Sequence, residues 1–412
     1  MSWWIKSNAL SQRQLQVINT AVNSKFKCVW IKGFAGTGKT LLLLHILERL
    51  LSLAPRATFC FITFTNSLID LARTSPIFSQ KKSNIEIITH TQFLRNKKKY
   101  TYVFLDEIQD IEYSDLKQIS NLSDRLFAAG DYDQQIYSNK HTSEDDIYKC
   151  YGVKEVTEHT LSEVFRLTKN ICILAKRVYP DANIVEGLIA AKKNSSINLI
   201  KAHDQTDENN WVIRNAVNRS LPGRPSAVLL RSHSKIHEFL NSLSKHYGQI
   251  LFFPPTGFNY MKRKESYGNF NEMALSQGIP FRYIGSSVGS IDESNLKPIV
   301  FITTVHSAKG LDFNNVFIPG LDKSNSDSNG KFKNYNELVS QRVLLVAVTR
   351  SRENLYLSYN SNNPKDFINR IPNQIANRIF LKHGDVSTVP ANNYSQGVKS
   401  DEFEDIDEGD FF

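Results

Sequence analysis

Cysteine is scarce in this chain: four in 412 residues, at Cys28, Cys60, Cys150 and Cys172, with no CxxC pair among them. That spacing argues against a disulfide framework or a zinc site and fits a reducing compartment. No apolar run is long enough to cross a bilayer. The most apolar stretch, Leu41 to Ala54, is too short and carries His45, Glu48 and Arg49, so it reads as a buried helix. The start, MSWWIKSNAL, has no basic region followed by an apolar core, and the expectation is a cytoplasmic protein with no signal peptide and no membrane partner. Acidic side chains are thin everywhere except the last twelve residues, DEFEDIDEGDFF, which hold seven carboxylates. Without them the 50 basic side chains face 34 acidic ones. A body that basic suggests a polyanionic partner, nucleic acid first, although charge alone is also compatible with a merely soluble basic protein.

What is present is a globular composition, 41% hydrophobic and 22% charged, with short apolar runs alternating with helical patterns. KCVWIK, TFCFIT, YVFLDE and RLFAAGD read as strands of one region, and AVLLRS, PIVFITT, NNVFIPG and ENLYLSY as strands of a second, beginning near Glu155. The expected fold class is α/β, with parallel sheets covered by helices on both faces. The expected division is residues 1–150, 151–383, and a polar then acidic tail, 384–412, that reads as disordered.

Gly33 to Thr40, GFAGTGKT, fits GxxxxGK[ST] between a strand and a helix. Glycines at Gly33, Gly36 and Gly38 let backbone N–H groups, Thr37's included, wrap phosphates, and the helix start adds positive potential. Lys39 would reach the β- and γ-phosphates of ATP, and Thr40 would ligate Mg²⁺. In VFLDEIQD, Asp106 at a strand end would hold the same metal, and Glu107 would orient or deprotonate the attacking water. An Asp-Glu pair alone is commonly a solvated strand end; the apolar run before it and the phosphate loop upstream favour chemistry. Gln134 in AAGDYDQQIY could sense a γ-phosphate, and TTVHSAKGLDF puts His306, Lys309 and Gly310 on a loop after a strand.

These motifs, in this order, resemble the UvrD/Rep-like group of superfamily 1 DNA helicases, over roughly residues 8–372. LSQRQLQVI looks like the adenine-reading Q motif with Gln14 as its glutamine. FITFTNSLIDLAR looks like motif Ia and THTQF like motif Ib. DEIQD carries the coupling glutamine, Gln109. GDYDQQIY, LSEVFRL, TVHSAKGLDF and RVLLVAVTRS resemble motifs III, IV, V and VI. The resemblance implies a P-loop NTPase of two RecA-like domains in tandem, with ATP between them. Arg166 and Arg350 would come from the second domain to the γ-phosphate, a contribution worth ~10³–10⁵ in rate. Asp312 would meet the ribose, where the family usually has glutamate. Phe64, Thr65, Asn66, His90 and His306 match positions that contact single-stranded DNA; Phe64 fits a base-stacking face and a core phenylalanine about equally.

The chain departs from the family in several places. Leu41 stands where an adenine-sandwiching arginine is common, and Phe165 replaces the motif IV tyrosine, a ring that can still stack on a base. Tyr137-Ser138-Asn139-Lys140 replaces Tyr-x-Trp-Arg, which removes a base-stacking pin. Only 12 residues separate Phe93 from Asp106, leaving no room for the first accessory domain, and the second insertion is missing before motif V. A segment near Tyr247 to Gln277 with the run Lys262-Arg263-Lys264 does not replace it and reads as a solvated loop.

The expected function is therefore an ATP-dependent, single-stranded DNA translocase or helicase, 3′ to 5′ by resemblance. The alternative is a DNA- and nucleotide-sensing ATPase that regulates a partner nuclease, for example in anti-phage defence. The tail reads as solubilising; a sharper hypothesis is competition with DNA for the basic body. On that hypothesis, deleting residues 401–412 tightens DNA binding at low salt, and an unchanged salt titration removes the competition.

Overall fold

The structure is a computed structural model that describes residues 4–63, 69, 72–73, 75–78, 84–136, 143–182, 184, 193–255, 260–285, 288–323 and 333–385. Two sheets, parallel throughout, organise it. The first comprises β1 (Cys28–Gly33), β2 (Phe59–Thr63), β3 (Ile85–Thr89), β4 (Tyr100–Leu105), β5 (Ser123–Gly130) and β6 (Val156–Leu161), in the order β3-β2-β4-β5-β1-β6. Parallel strands sandwiched between helices are buried on both faces, which explains their nearly unbroken apolar character. Along β1, Val29 and Ile31 join the apolar cluster under the helices α1 (Gln12–Asn23) and α2 (Lys39–Leu53), while Cys28 and Trp30 join the cluster on the opposite face. Stacked rings tie neighbouring strands together: Phe61 on Phe104 at 6.4 Å and Phe104 on Phe127 at 5.0 Å.

The second sheet comprises β7 (Ser196–Lys201), β8 (Ser226–Leu230), β9 (Phe281–Tyr283), β10 (Val300–Thr304), β11 (Phe313–Ile318), β12 (Ser351–Tyr359) and β13 (Asn377–Phe380), in the order β13-β7-β12-β11-β8-β10-β9. One face is centred on Trp211 of the helix Gln205–Arg219, whose indole lies 5.9 Å from Tyr356, itself stacked on Phe317 at 4.3 Å. The other packs the helices Lys169–Val178 and Lys333–Val348.

All eight strands expected from the sequence form. The first sheet, however, is completed by β6, which pairs with β1 from Cys28↔Val156 to Gly33↔Leu161, so the first unit runs past the expected boundary at residue 150. The run Lys262-Arg263-Lys264 lies on the helix Tyr260–Ser276, anchored by buried Tyr267 and Phe270, and is not a loop. Phe64, Thr65, Asn66, Tyr137 to Lys140 and the acidic tail lie outside the described residues. Among the described residues, no helix is long and apolar enough to cross a membrane.

The sheets meet through the ends of their strands. The phosphate loop, Asp106 and Asp131 follow the carboxyl ends of β1, β4 and β5, which are neighbours in the first sheet. Asp312 and Arg350 precede the amino ends of β11 and β12, neighbours in the second. Phe34, Ala35 and Ile136 from the first unit share one apolar cluster with Val164, Leu167 and Ala308 of the second, so apolar burial seats one unit against the other. The two cores should nevertheless melt separately under truncation. Phe317→Ala is expected to cost ~3–5 kcal/mol and to lower the second unit's denaturant midpoint ahead of the first's, read by tryptophan fluorescence of Trp211 against Trp30.

Candidate active site between the sheets

The phosphate loop depends on two glycines with left-handed backbone, Gly36 at φ 81° and Gly38 at φ 91°. At Gly36 a Cβ would also come within 2.8 Å of the Arg166 Cβ, so a side chain there would force the second unit's loop away. The contact is continued by backbone: Phe165 N–H and Arg166 N–H both donate to the Gly36 carbonyl, at 3.0 and 3.3 Å. Lys39 begins α2 and donates to the Gly33 carbonyl at 2.6 Å and the Phe34 carbonyl at 3.2 Å. Its ammonium thus sits inside the loop, on the side where phosphates would bind.

Beside it, the Thr40 hydroxyl donates to Asp106 Oδ2 at 2.6 Å. A hydroxyl and a carboxylate side by side are hard oxygen donors that suit Mg²⁺ with its retained waters and substrate oxygens. Glu107 adopts φ 58°, one of two described non-glycine residues with positive φ, a strain that persists only where the surroundings hold it. Gln109 Nε2 donates to Glu107 Oε2 at 2.5 Å, and Gln109 Oε1 accepts from the Asp131 N–H at 3.0 Å. Burial pushes the Asp106 carboxyl up, reinforced by neighbouring Glu107. Burial also opposes ionisation of Glu107, but Lys309 and Lys39 outweigh it and hold that carboxyl below the usual range. The strained glutamate is thus kept charged, as a water-orienting base must be.

The remaining cations come from the second unit. Gln134 connects them to the first: its Nε2 donates to Asp131 Oδ2 at 2.5 Å, its Oε1 accepts from Arg350 Nη2 at 3.1 Å, and its carbonyl accepts from Lys309 Nζ at 2.6 Å. Lys309 also donates to Asp110 Oδ2 at 2.6 Å and lies 3.9 Å from Glu107 Oε2. Arg166 Nη2 donates to the Thr349 carbonyl at 3.3 Å, while its buried Nε has no hydrogen-bond partner. Burial, and then the neighbouring Arg166, lowers Arg350 to about 9. Two guanidiniums, Arg350 buried and Arg166 half-buried with an orphaned Nε–H, lie close enough to repel each other, and a polyphosphate would offer acceptors to both.

Lys39, Thr40, Asp106, Glu107, Gln134, Arg166 and Arg350 therefore converge, with Gly33, Gly36, Thr37 and Gly38 framing the loop. Other expectations fare differently. The Gln14 side chain completes a capping box with Ser11 and donates to the Thr37 carbonyl at 3.1 Å, so in this conformation its amide braces the phosphate loop. Both oxygens of Asp312 are taken by Arg352, at 2.6 and 2.9 Å, which leaves a ribose contact dependent on that pair opening. Leu41 is buried in the first core and offers nothing to a base. Gly310, at φ 81°, turns the loop after Lys309. His90 opens the helix His90–Asn96 beyond β3, and His306 follows β10, with burial holding its imidazole below the usual range. The two histidines belong to different sheets, both half-buried. Sequence reasoning assigned no role to Asp110, Asp131, Lys309 or Arg352. Each becomes visible only when residues far apart in sequence meet, 199 positions apart for Lys309 and Asp110.

Two family descriptions match the chain: an AAA domain over residues 14–140 and a UvrD-like helicase C-terminal domain over residues 280–362. Together they contain the loop, both Asp106 and Glu107, and Arg350. Among curated proteins, the ATP-dependent DNA helicase PcrA of Staphylococcus aureus is 34% identical over 103 residues, 22% of this chain and 14% of the relative. DNA helicase II of Rickettsia typhi is 32% identical over 102 residues, 21% of this chain and 15% of the relative. The matches thus span a small part of those longer proteins. A solved structure, that of the PRRSV helicase, aligns with 84% of this chain and 54% of its own at 14% identity and a TM-score of 0.39, too loose a likeness to weigh.

The Lys309–Asp110 pair crosses the interface fully buried, so losing one partner strands the other. Lys309→Met is expected to cost ~3–5 kcal/mol, whereas Lys309→Met with Asp110→Leu recovers most of that loss. Chemical denaturation of the three proteins checks this; equal losses in the single and double variants would rule out a coupled pair.

Proposed function

The chain is a UvrD/Rep-like superfamily 1 protein in a small two-domain form without the accessory insertions, and from that premise we propose that it is an ATP-driven motor that tracks along single-stranded DNA, 3′ to 5′. The observation that carries the proposal is the composite site. Groups that hold and hydrolyse a triphosphate stand on one sheet, and the arginines that complete them stand on the other. Lys39 and the loop's N–H groups bind the phosphates, and Thr40 with Asp106 would hold Mg²⁺, which supplies charge neutralisation on the phosphate oxygens. Glu107, kept ionised by Lys309 and Lys39, orients the attacking water and takes its proton. Arg166 and Arg350 stabilise charge on the transferring group, and Gln134 links Arg350 to Asp131, so that hydrolysis and the seating of the two units are coupled. Sliding of one sheet against the other is the stroke that moves DNA, gripped at His90, His306 and the residues Phe64 to Asn66.

The basic body supplies the electrostatic hold on a phosphate backbone. A motor that must pass any sequence needs backbone and stacking contacts rather than base-edge readout. The short connection, with only three residues between the helix His90–Asn96 and β4, supports a second reading: an ATPase that senses DNA and nucleotide and regulates a partner nuclease, in phage defence for instance. ATP hydrolysis with and without single-stranded DNA, followed by displacement of a block from the strand, separates the two. Stimulation with displacement supports the motor, stimulation without displacement supports the sensor, and no response to DNA counts against both. Within that assay, Glu107→Gln is expected to abolish turnover while ATP still binds; retained wild-type turnover would refute the role of Glu107.

A further inference from the structure

At the outer edge of the second sheet, far in sequence from the motifs above, two histidines and two aspartates turn toward one another. His203 lies between β7 and the helix Gln205–Arg219; Asp204 is that helix's N-cap, accepting from the Asp207 N–H at 2.9 Å; Asp207 sits in its first turn. His383 arrives from the other end of the domain, just after β13, and Gly384 N–H donates to Asp207 Oδ1 at 3.2 Å. His383 Nδ1 is 2.9 Å from Asp207 Oδ2, His203 Nδ1 is 3.9 Å from the same oxygen, and His203 Nδ1 is 3.5 Å from Asp204 Oδ2. One ligand atom from each of the four residues can be chosen so that all lie within 4.8 Å of one another.

We propose that His203, Asp204, Asp207 and His383 form a binding site for a transition-metal ion of the Zn²⁺ class. Tetrahedral Zn²⁺ with bonds of about 2.0–2.1 Å to nitrogen and oxygen places its ligand atoms about 3.3 Å apart. Three of the separations, 2.9, 3.5 and 3.9 Å, bracket that value, and all lie within 4.8 Å, so side-chain adjustments of about an ångström complete the cage. Imidazole donors select Zn²⁺ and its neighbours over Mg²⁺ or Ca²⁺, which prefer all-oxygen shells. The two rings stand 4.9 Å apart, close enough for both to face a single ion. Asp207 is held from behind by the Gly384 N–H, the kind of outer contact that orients a metal ligand. The scarcity of cysteine does not bear on this set, which draws only on nitrogen and oxygen.

The position gives the ion a structural task. β13 pairs with β7 along one side only, and the metal would fasten its exit to the start of the neighbouring helix. The same helix carries Glu208, which accepts from Gly320 N–H, Ser358 and Asn360, so the ion would stiffen the corner from which residues 386–412 depart.

The test uses the full chain, stripped with a chelator and free of nucleotide and Mg²⁺. Zn²⁺ alone is titrated calorimetrically, and thermal melting is followed with and without it. The expected result is one ion per chain at low-micromolar affinity or tighter, with a melting midpoint that rises with Zn²⁺ and returns on chelation. His203 and His383 are exposed, with side chains 60% and 75% accessible, so the variant His203→Ala, His383→Ala should fold and melt like the metal-free wild type. In it, both the binding and the thermal shift are lost. Co²⁺ in place of Zn²⁺ gives the absorption bands of a four-coordinate ion in the wild type and not in the variant. No uptake at about 100 µM Zn²⁺, or uptake unchanged by the double substitution, overturns the proposal.

Discussion

The candidate site between the two sheets depends on Gln134 satisfying three hydrogen-bonding partners at once. Its side chain binds Asp131 of its own sheet and Arg350 of the other, and its carbonyl binds Lys309. Charged groups buried between two sheets are tolerated only when each has a partner. A neutral amide that both donates and accepts is the simplest way to hand a carboxylate and a guanidinium across an interface without pairing them directly. Unlike the direct Lys309–Asp110 pair, the intermediary leaves Arg350 able to exchange one oxygen acceptor for another.

The apolar contacts around this centre have a complementary role. Phe34, Ala35 and Ile136 extend the second unit's core under the phosphate loop, and burial there is non-directional. It presses the units together without fixing which polar groups meet. Registration comes from hydrogen bonds such as those from Phe165 and Arg166 to Gly36. Adhesion and alignment are thus carried by different residues, and a change in the second need not abolish the first.

Legibility in the sequence followed burial. Strands such as β1, β2, β4 and β10, enclosed on both faces, wrote themselves as apolar runs. The edge strands β3, β6 and β13 break their apolar runs with Glu86, with Thr157 to Thr160, and with Asn377 and Arg378, because one edge meets solvent, and β9 spans only Phe281–Tyr283. β7 is interior but hides a buried Asn198, bonded to Ser196 and Asn377, and that asparagine reads as a loop. The same division holds in the site. Lys39, Thr40, Asp106 and Glu107 could be read because local spacing fixes them beside a strand end. The bracing role of Gln14, the clamp of Arg352 on Asp312 and the Lys309–Asp110 pair could not, since each depends on where a distant segment folds back.

A single short segment carries the chain from one sheet to the other. β6 ends at Leu161 and the next helix begins at Lys169, and the short stretch between them is the one whose backbone rests on Gly36 and whose side chain is Arg166. The connecting strap and the finger are one piece of chain. In a machine whose hinge was separate from its trigger, the halves could swing while the nucleotide stayed put. Here the fulcrum lies on the phosphate loop itself, and any relative rotation of the halves would tug at it.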